Sequence, residues 1–134
     1  MSMLAIVLVL LVALLHLWFL VLEMFLWTRP LGRKVFRLTP ERAEQSKVLA
    51  ANQGLYNGFL AAGLVWAAIG ARNDVALFFL GCVVVAGVFG AWTVNRRIFF
   101  VQSLPALAAI AAVWLGWGFG AAPSMAVASS SANV

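Results

Sequence analysis

The chain has 134 residues, of which 65% are hydrophobic and only 10% are charged, with a formal net charge of +5. Soluble domains carry roughly 45–50% apolar and about 25% charged residues, so this composition excludes an ordinary soluble domain. The single cysteine, Cys82, cannot form an intrachain disulfide and no cluster of metal ligands accompanies it. We therefore predict a membrane protein without a metal site.

Four apolar runs are long enough to cross a bilayer, which requires about 20 residues for each helix. Almost nothing remains for a soluble domain, so residues 1–120 are predicted to form one all-α domain, a bundle of four transmembrane helices. The Ser-rich tail, residues 121–134, is predicted to be disordered. The four predicted spans cover approximately residues 3–27, 48–70, 75–94 and 99–119.

The first span is predicted to be retained rather than cleaved as a signal peptide, because no basic segment precedes it. It carries His16 and Glu23, seven residues apart and so on one helix face. An ionised carboxylate inside a membrane costs several kcal/mol unless it is paired, which makes Glu23 a candidate functional residue. Two structural interpretations stay open, a packed core histidine and a carboxylate that reaches an arginine near the membrane surface.

The second span begins with a polar stretch, Ala51–Gly58, that is unusual inside a membrane. Lipid offers no hydrogen-bond partner, so these side chains must face protein, water or a ligand. The helix is predicted to begin upstream, with Thr39 as N-cap and Pro40 in the first turn. The polar side chains of the stretch are Asn52, Gln53, Tyr56 and Asn57.

The connection between the third and fourth spans adds Asn95, Arg96 and Arg97 at the same membrane level. Arginines beside carboxamides and a phenol can hold an anionic head group, and the apolar half of the bundle can take a tail. The sequence thus predicts a polar ligand site in one half of the membrane. Its predicted ligand-binding residues are Glu23, Asn52, Gln53, Tyr56, Asn57, Asn95, Arg96 and Arg97.

The basic residues predict the orientation of the chain in the membrane. Of nine basic residues, all except Arg72 lie in the segment 28–47 or at Arg96 and Arg97. By the positive-inside rule that side is cytoplasmic, so both termini are predicted to lie outside. Loop arginines beside anionic headgroups explain the basic charge, and we predict no nucleic-acid partner.

Small residues recur every four positions along the second span, at Ala50, Gly54, Gly58 and Ala62. Such a row lets helices approach closely in lipid. We predict a homo-oligomer in the lipid bilayer. The row is interpreted as a helix-packing surface, and glycines kept small so that a ligand can approach are the alternative.

The stretch from Ala51 to Gly63, together with His16 and Glu23, resembles a group of small bacterial four-helix membrane proteins of unknown function. The resemblance extends to about Gly116 and implies a location in the bacterial inner membrane. It implies no particular activity.

A more distant resemblance is to the MAPEG family, the membrane-associated proteins of eicosanoid and glutathione metabolism. Its second helix carries basic residues before an asparagine, as Arg42 and Asn52 do here, and arginine precedes a Leu-Pro pair, as Arg97 precedes Leu104-Pro105. That family forms trimers with glutathione between subunits. The resemblance implies a trimer, and glutathione is a candidate cofactor only through it. Leu55 stands where that family has a glutamate.

Three functions remain open from the sequence. The first is an intramembrane site for a small amphiphilic or anionic ligand, with Glu23, His16 and Tyr56 as candidate catalytic residues. The second is a small ion or solute channel or transporter lined by the same polar residues. The third is a structural or partner-binding membrane protein. A nearly apolar outer half argues against an open pore, so the first is our prediction.

Overall fold

Helices make up nearly all of residues 1–120, the part of the chain that this computed structural model describes. No strand occurs within that part, which confirms the all-α prediction. The predicted disordered tail, residues 121–134, lies outside the described residues. In chain order the helices are α1 (Met3–Met24), α2 (Pro30–Phe36), α3 (Pro40–Ile69), α4 (Asn73–Thr93) and α5 (Leu104–Gly120), with a π-helical turn at Phe99–Ser103 directly before α5.

Three segments are long and apolar enough to cross a membrane: α1, α4 and Phe99–Trp117. Residues 1–120 are therefore all-helical, with three candidate membrane spans. α3 has ample length, 30 residues, but its first turns are charged and its middle contains the carboxamides. These polar residues lower the mean hydropathy of α3. The prediction that α3 is a fourth membrane span stays a prediction.

The segment between α1 and α3 contains a short helix that the sequence analysis did not predict. α2 begins at Pro30, whose fixed φ suits the first helical position, and ends at Arg37 in the left-handed conformation with φ of 54°. Gly32 is buried against the preceding turn, because a Cβ there would overlap the Leu26 carbonyl. Only glycine allows α2 to fold back this closely on the end of α1.

α3 begins as the sequence predicted. The Thr39 hydroxyl accepts a hydrogen bond from the Arg42 amide at 3.3 Å, and Pro40 occupies the first turn. Glu41 lies in that turn, where hydrogen bonds from its own backbone N–H and from Thr39 lower the pKa of its carboxyl. The charged start of α3 is thus a well-formed helix end.

The four long helices form a ring in which α1 packs on α3 and α5, and α4 packs on the same two helices. Sequential helices run antiparallel, so both the start of α1 and the end of α5 lie at one end, where Ser2 adjoins Gly116. We call this end the terminal half and the opposite end the loop half. The terminal half comprises residues 3–15, 61–83 and 106–117, and the loop half comprises residues 16–60 and 84–105.

The apolar core lies in the terminal half. All four long helices contribute to it, mostly with alanine and valine, which allow the helix axes to approach closely. Leu64 and Leu80 are the largest of these side chains, and both are completely buried. The core residues are Ala5, Val9, Val12, Ala13, Leu64, Ala67, Ala68, Ala76, Leu80, Val83, Ala106, Ala109, Ala112 and Val113.

The small-residue row of α3 faces α1 of the same chain. A Cβ added at Gly54 would lie 2.6 Å from Cγ of Met24, and one added at Gly58 would lie 2.7 Å from Cδ1 of Leu20. These two glycines therefore bring α3 against the last turns of α1. At these two glycines the row packs helices within one subunit.

Candidate functional site

The loop half contains a buried hydrogen bond between α1 and α3. The Asn57 amide donates from Nδ2 to Oε2 of Glu23 at 2.7 Å. Both residues are only 8% exposed. Glu23 lies one residue before the end of α1, and Asn57 lies near the middle of α3. The structure therefore joins two of the polar residues that the sequence analysis selected.

Gly54 explains why these two side chains can meet. A Cβ at this position would lie 3.2 Å from Cβ of Glu23 and 3.2 Å from the Leu20 carbonyl oxygen. Asn57 lies three residues further along α3, on the same face of the helix. A larger residue at Gly54 would push the helices apart and lengthen the hydrogen bond between Glu23 and Asn57.

An open cleft of about 380 Å³ lies between the end of α1 and the third and fourth turns of α3. We call it the Glu23 cleft. Its polar groups are a carboxylate, an amine, an amide and a hydroxyl, and the rest of its lining is aliphatic or aromatic. The lining residues are Glu23, Met24, Phe25, Trp27, Thr28, Lys47, Val48, Ala51 and Asn52.

The tryptophan in this lining is held in a fixed position. Nε1 of Trp27 donates to the Ser46 hydroxyl at 3.0 Å, and that hydroxyl donates to the Arg42 carbonyl at 2.7 Å. The Trp27 ring also packs against Phe36 of α2, with ring centroids 4.6 Å apart. The chain between α1 and α3 is thereby folded into a structured rim for the Glu23 cleft.

The charges around the cleft are distributed unevenly. Lys47 lines the cleft, but its Nζ forms an ion pair with Glu44 on the outer surface of α3. The other ion pair in residues 1–117, between Arg72 and Asp74, lies at the opposite end of α3. Within that range no cationic side chain comes within 4 Å of the Glu23 carboxylate.

His16 is buried away from the cleft and is 1% exposed. Its Nδ1 lies 2.8 Å from the Val12 carbonyl oxygen, one turn earlier on α1, and its ring meets Phe19 edge to face. Because a carbonyl only accepts, Nδ1 carries the proton of this bond. The structure thus gives His16 a backbone partner, and His16 is absent from the lining of the Glu23 cleft.

Three of the predicted ligand-binding residues on α3 are exposed, and only some of them line the Glu23 cleft. Asn52 lines the Glu23 cleft. Gln53 and Tyr56 lie outside its lining, and Tyr56 is 67% exposed with its ring edge against Phe59. The stretch therefore divides between two faces, one towards α1 and one away from the bundle.

Asn95, Arg96 and Arg97 lie in the connection between α4 and the π-helical turn. All three are exposed, and Oδ1 of Asn95 accepts a hydrogen bond from the Arg97 amide at 2.9 Å. This connection contributes no residue to the lining of the Glu23 cleft. The structure brings Glu23, Asn52 and Asn57 together and keeps this basic connection apart.

The chain is similar to proteins of unknown function. Residues 10–114 match the family described as "Protein of unknown function (DUF1304)". The chain belongs to this family. It is similar to the "Uncharacterized protein YpaA" of Lactococcus lactis subsp. lactis (strain IL1403), at 32% identity over 114 residues that cover 82% of this chain and 96% of that protein. No solved structure matches the chain.

The family match confirms the prediction of a small bacterial group of unknown function, and it spans both Glu23 and Asn57. The distant resemblance to the MAPEG family stays a prediction. Within the described side chains, no group of three or more His, Cys, Asp or Glu residues converges to hold a metal ion.

Several residues of the Glu23 cleft were not predicted from the sequence. Trp27, Thr28 and Lys47 were interpreted as boundary and loop residues, and Ala51 as part of an apolar run. The pair of Trp27 and Ser46 is 19 residues apart, and nothing in the sequence signals it. One signal was available, since Trp27 and Lys47 flank the two predicted spans that carry the polar residues.

Proposed function

We propose that the protein is an integral membrane protein whose Glu23 cleft binds a small amphiphile. The observation that carries the proposal is a buried carboxylate, held by Asn57, in the wall of an open cleft with both polar and apolar lining. Ligand sites are mostly apolar concavities with a few polar groups that fix orientation. Glu23 and Asn52 are the proposed contacts for the polar end of the ligand.

The surroundings of the cleft suit a ligand with an apolar tail. Phe25 and Val48 line the cleft and are themselves largely exposed, so apolar surface continues from the cleft onto the outside of the bundle. Lipid would contact this surface in a membrane. An amphiphile can place its polar group at Glu23 and leave its tail along this apolar path.

The remaining functional alternatives receive less support. A transport path requires polar groups through the whole membrane, and the terminal half is closed by an apolar core to which all four long helices contribute.

For catalysis, the candidates Glu23, His16 and Tyr56 would have to act together. His16 is bonded to its own helix, and Tyr56 is absent from the lining of the cleft. We therefore propose binding rather than turnover.

The proposed orientation places α3 as the fourth span in the inner membrane. Both termini lie outside, and the segment 28–47 and the Glu23 cleft lie on the cytoplasmic side. The support is the distribution of basic residues, all of which except Arg72 fall in the loop half. Single-cysteine labelling with an impermeant reagent, after Cys82→Ser, tests this. Reaction at position 35 in intact cells would contradict it.

The proposed assembly is a homo-oligomer, with a trimer suggested by the MAPEG resemblance. Its support in the structure is the exposed polar face of α3, where Gln53 and Tyr56 would otherwise meet lipid. A second copy could cover this face. Native mass spectrometry in mild detergent tests the assembly, and a stable monomer would contradict it.

The binding proposal is tested by filling the cleft. Ala51→Phe places a ring in the cleft at a half-buried position on α3. Small molecules that co-purify with the wild-type protein are extracted and identified by mass spectrometry, and the same is done for this variant. We expect at least one amphiphile that is enriched in the wild type and absent from the variant. Identical extracts from two equally folded proteins would refute the proposal.

A further inference from the structure

The charge of the ligand can be inferred from what Glu23 lacks. Its Oε2 accepts the bond from Asn57, and Oε1 receives no hydrogen bond from the described residues. The Asn57 amide is neutral, so it donates a hydrogen bond to one carboxylate oxygen of Glu23 without balancing the negative charge of the carboxylate. A buried carboxylate normally has a cationic partner or coordinates a metal.

The nearest candidate for an internal counter-ion already has a partner. Lys47 lines the cleft, but its amine pairs with Glu44, three residues earlier on the exposed side of α3. The basic residues Arg96 and Arg97 belong to the connection after α4, outside the cleft lining. An anion entering the cleft would therefore meet the Glu23 carboxylate, and the ammonium of Lys47 in the lining is already paired with Glu44.

The aromatic lining points to the same kind of ligand. Trp27 and Phe25 both line the cleft. The indole N–H of Trp27 is already bonded to Ser46, so the ring surface is what Trp27 offers to a ligand. A cation is attracted to the face of an aromatic ring, most strongly to tryptophan, and the attraction grows when water is excluded.

We infer that the Glu23 cleft takes a cationic amphiphile, with an amine bound at Glu23 and an apolar chain along Phe25 and Val48. This inference rests on the proposed function and replaces the anionic alternative with a positive head group. A primary ammonium has three donors, so it can reach the free Oε1 of Glu23 and the amide oxygen of Asn52. The ligand supplies the missing counter-ion.

The test compares three probes with the same chain length and different charge: decylamine, decanol and decanoate. Each is titrated at neutral pH into full-length protein in nanodiscs of zwitterionic lipid, with empty nanodiscs subtracted. The variants are Glu23→Gln, which removes the charge and keeps a hydrogen-bonding side chain, and Ala51→Phe, which fills the cleft. Lys47→Ala removes the cation of the cleft lining.

We expect the wild type to bind decylamine more tightly than decanol, and decanoate most weakly. Glu23→Gln should weaken decylamine binding roughly tenfold or more, since hydrogen bonds to charged groups are the strong ones. Its affinity for decanol should change little. Lys47→Ala should strengthen decylamine binding, because it removes a like charge from the cleft lining.

The outcomes separate this inference from the proposed function. If decanoate or decanol binds more tightly than decylamine, and Ala51→Phe abolishes that binding, the cleft is a ligand site but the inferred charge is wrong. If Glu23→Gln binds decylamine as the wild type does, the inferred charge is also wrong. If Ala51→Phe changes the binding of none of the three probes, the proposed function itself fails. Circular dichroism and thermal unfolding confirm that each variant is folded.

Discussion

The terminal half and the loop half are built from the same four helices but are held together differently. In the terminal half, alanine, valine and leucine from every helix form one apolar core. In the loop half, α1 and α3 meet through glycines and the bond between Glu23 and Asn57, and α4 meets the π-helical turn at Gly87 and Ser103. Apolar packing alone explains the choice of residues in the terminal half. The loop half contains polar groups that helix packing does not require.

The difference indicates where function can be located in a small membrane bundle. Buried polar groups are costly in lipid, and a chain that needs only four packed helices could use apolar residues throughout. Ser103 is completely buried, and its hydroxyl donates to the Val84 carbonyl at 3.1 Å, so a structural role accounts for it. Glu23 differs, because one of its oxygens accepts no hydrogen bond from the described residues and the residue lines a cleft.

The largest expected effect is in the terminal half. Leu80→Ala removes a completely buried side chain from the apolar core. We expect it to lower the free energy of unfolding by about 2–5 kcal/mol, since the lost contacts leave a cavity. Val85→Ala is the control on the same helix, because Val85 is 70% exposed. The measurement is equilibrium unfolding in mixed micelles, and equal losses in the two variants would contradict the assignment of the core.

Gly54→Leu tests the close approach of α1 and α3 in the loop half. A Cβ there already meets the Leu20 carbonyl oxygen at 3.2 Å, and a leucine needs still more room. Overpacking of this kind costs about 1–3 kcal/mol, and we expect a comparable loss in the free energy of unfolding. Gly81→Leu is the matched control, because a Cβ at Gly81 meets nothing within 4 Å. Equal stability of both variants would show that α1 and α3 are further apart than described.

Substitutions of Glu23 separate its structural from its functional role. Glu23→Leu leaves the Asn57 amide buried and unpaired, which should cost about 1–3 kcal/mol of unfolding free energy. Glu23→Gln keeps an oxygen that can accept the bond from Asn57, so its loss should be smaller. The double variant Glu23→Leu, Asn57→Leu should recover part of the loss. Thermal unfolding of these variants, the wild type and the single variant Asn57→Leu measures this, and additive losses of Glu23→Leu and Asn57→Leu would mean that the two residues do not interact.

The smallest effect is expected at the rim of the cleft. Ser46→Ala removes the hydroxyl that accepts from Trp27 and donates to the Arg42 carbonyl. The loss should be about 0.5–1.5 kcal/mol, the usual net value of a hydrogen bond. The variant should also broaden the fluorescence of Trp27, measured in a protein whose other tryptophans are phenylalanine. An unchanged spectrum would mean that the indole N–H of Trp27 does not bind the Ser46 hydroxyl.

The sequence predicted the helical architecture well because its signals are local. Apolar runs of membrane length and the Thr39-Pro40 cap each act within a few residues, and α3 begins at Pro40 as predicted. α2 was missed because seven residues between two spans carry no clear period and were interpreted as loop. The π-helical turn at Phe99–Ser103 gave no signal either.

The candidate site could be predicted only in part. The sequence gives the depth of each residue along its helix, but it does not give the direction in which the side chain points or the neighbouring helix that it meets. Counting residues from the membrane boundary places Glu23, Asn57 and Arg97 at one level. Which of them meet depends on the rotation of each helix, and this is set by Gly54 and Gly58 against α1. Asn57 turns towards Glu23, whereas Arg97 stays in the exposed connection.

The most direct test of a ligand site in the loop half is photoaffinity labelling. A ten-carbon amine that carries a diazirine on its chain is bound to the full-length protein in nanodiscs, irradiated, and its sites of attachment are mapped by peptide mass spectrometry. We predict that labels concentrate on residues 23–28 and 47–52 and are displaced by excess decylamine. Labels spread evenly over the exposed faces of all helices, or concentrated in the terminal half, would contradict the account.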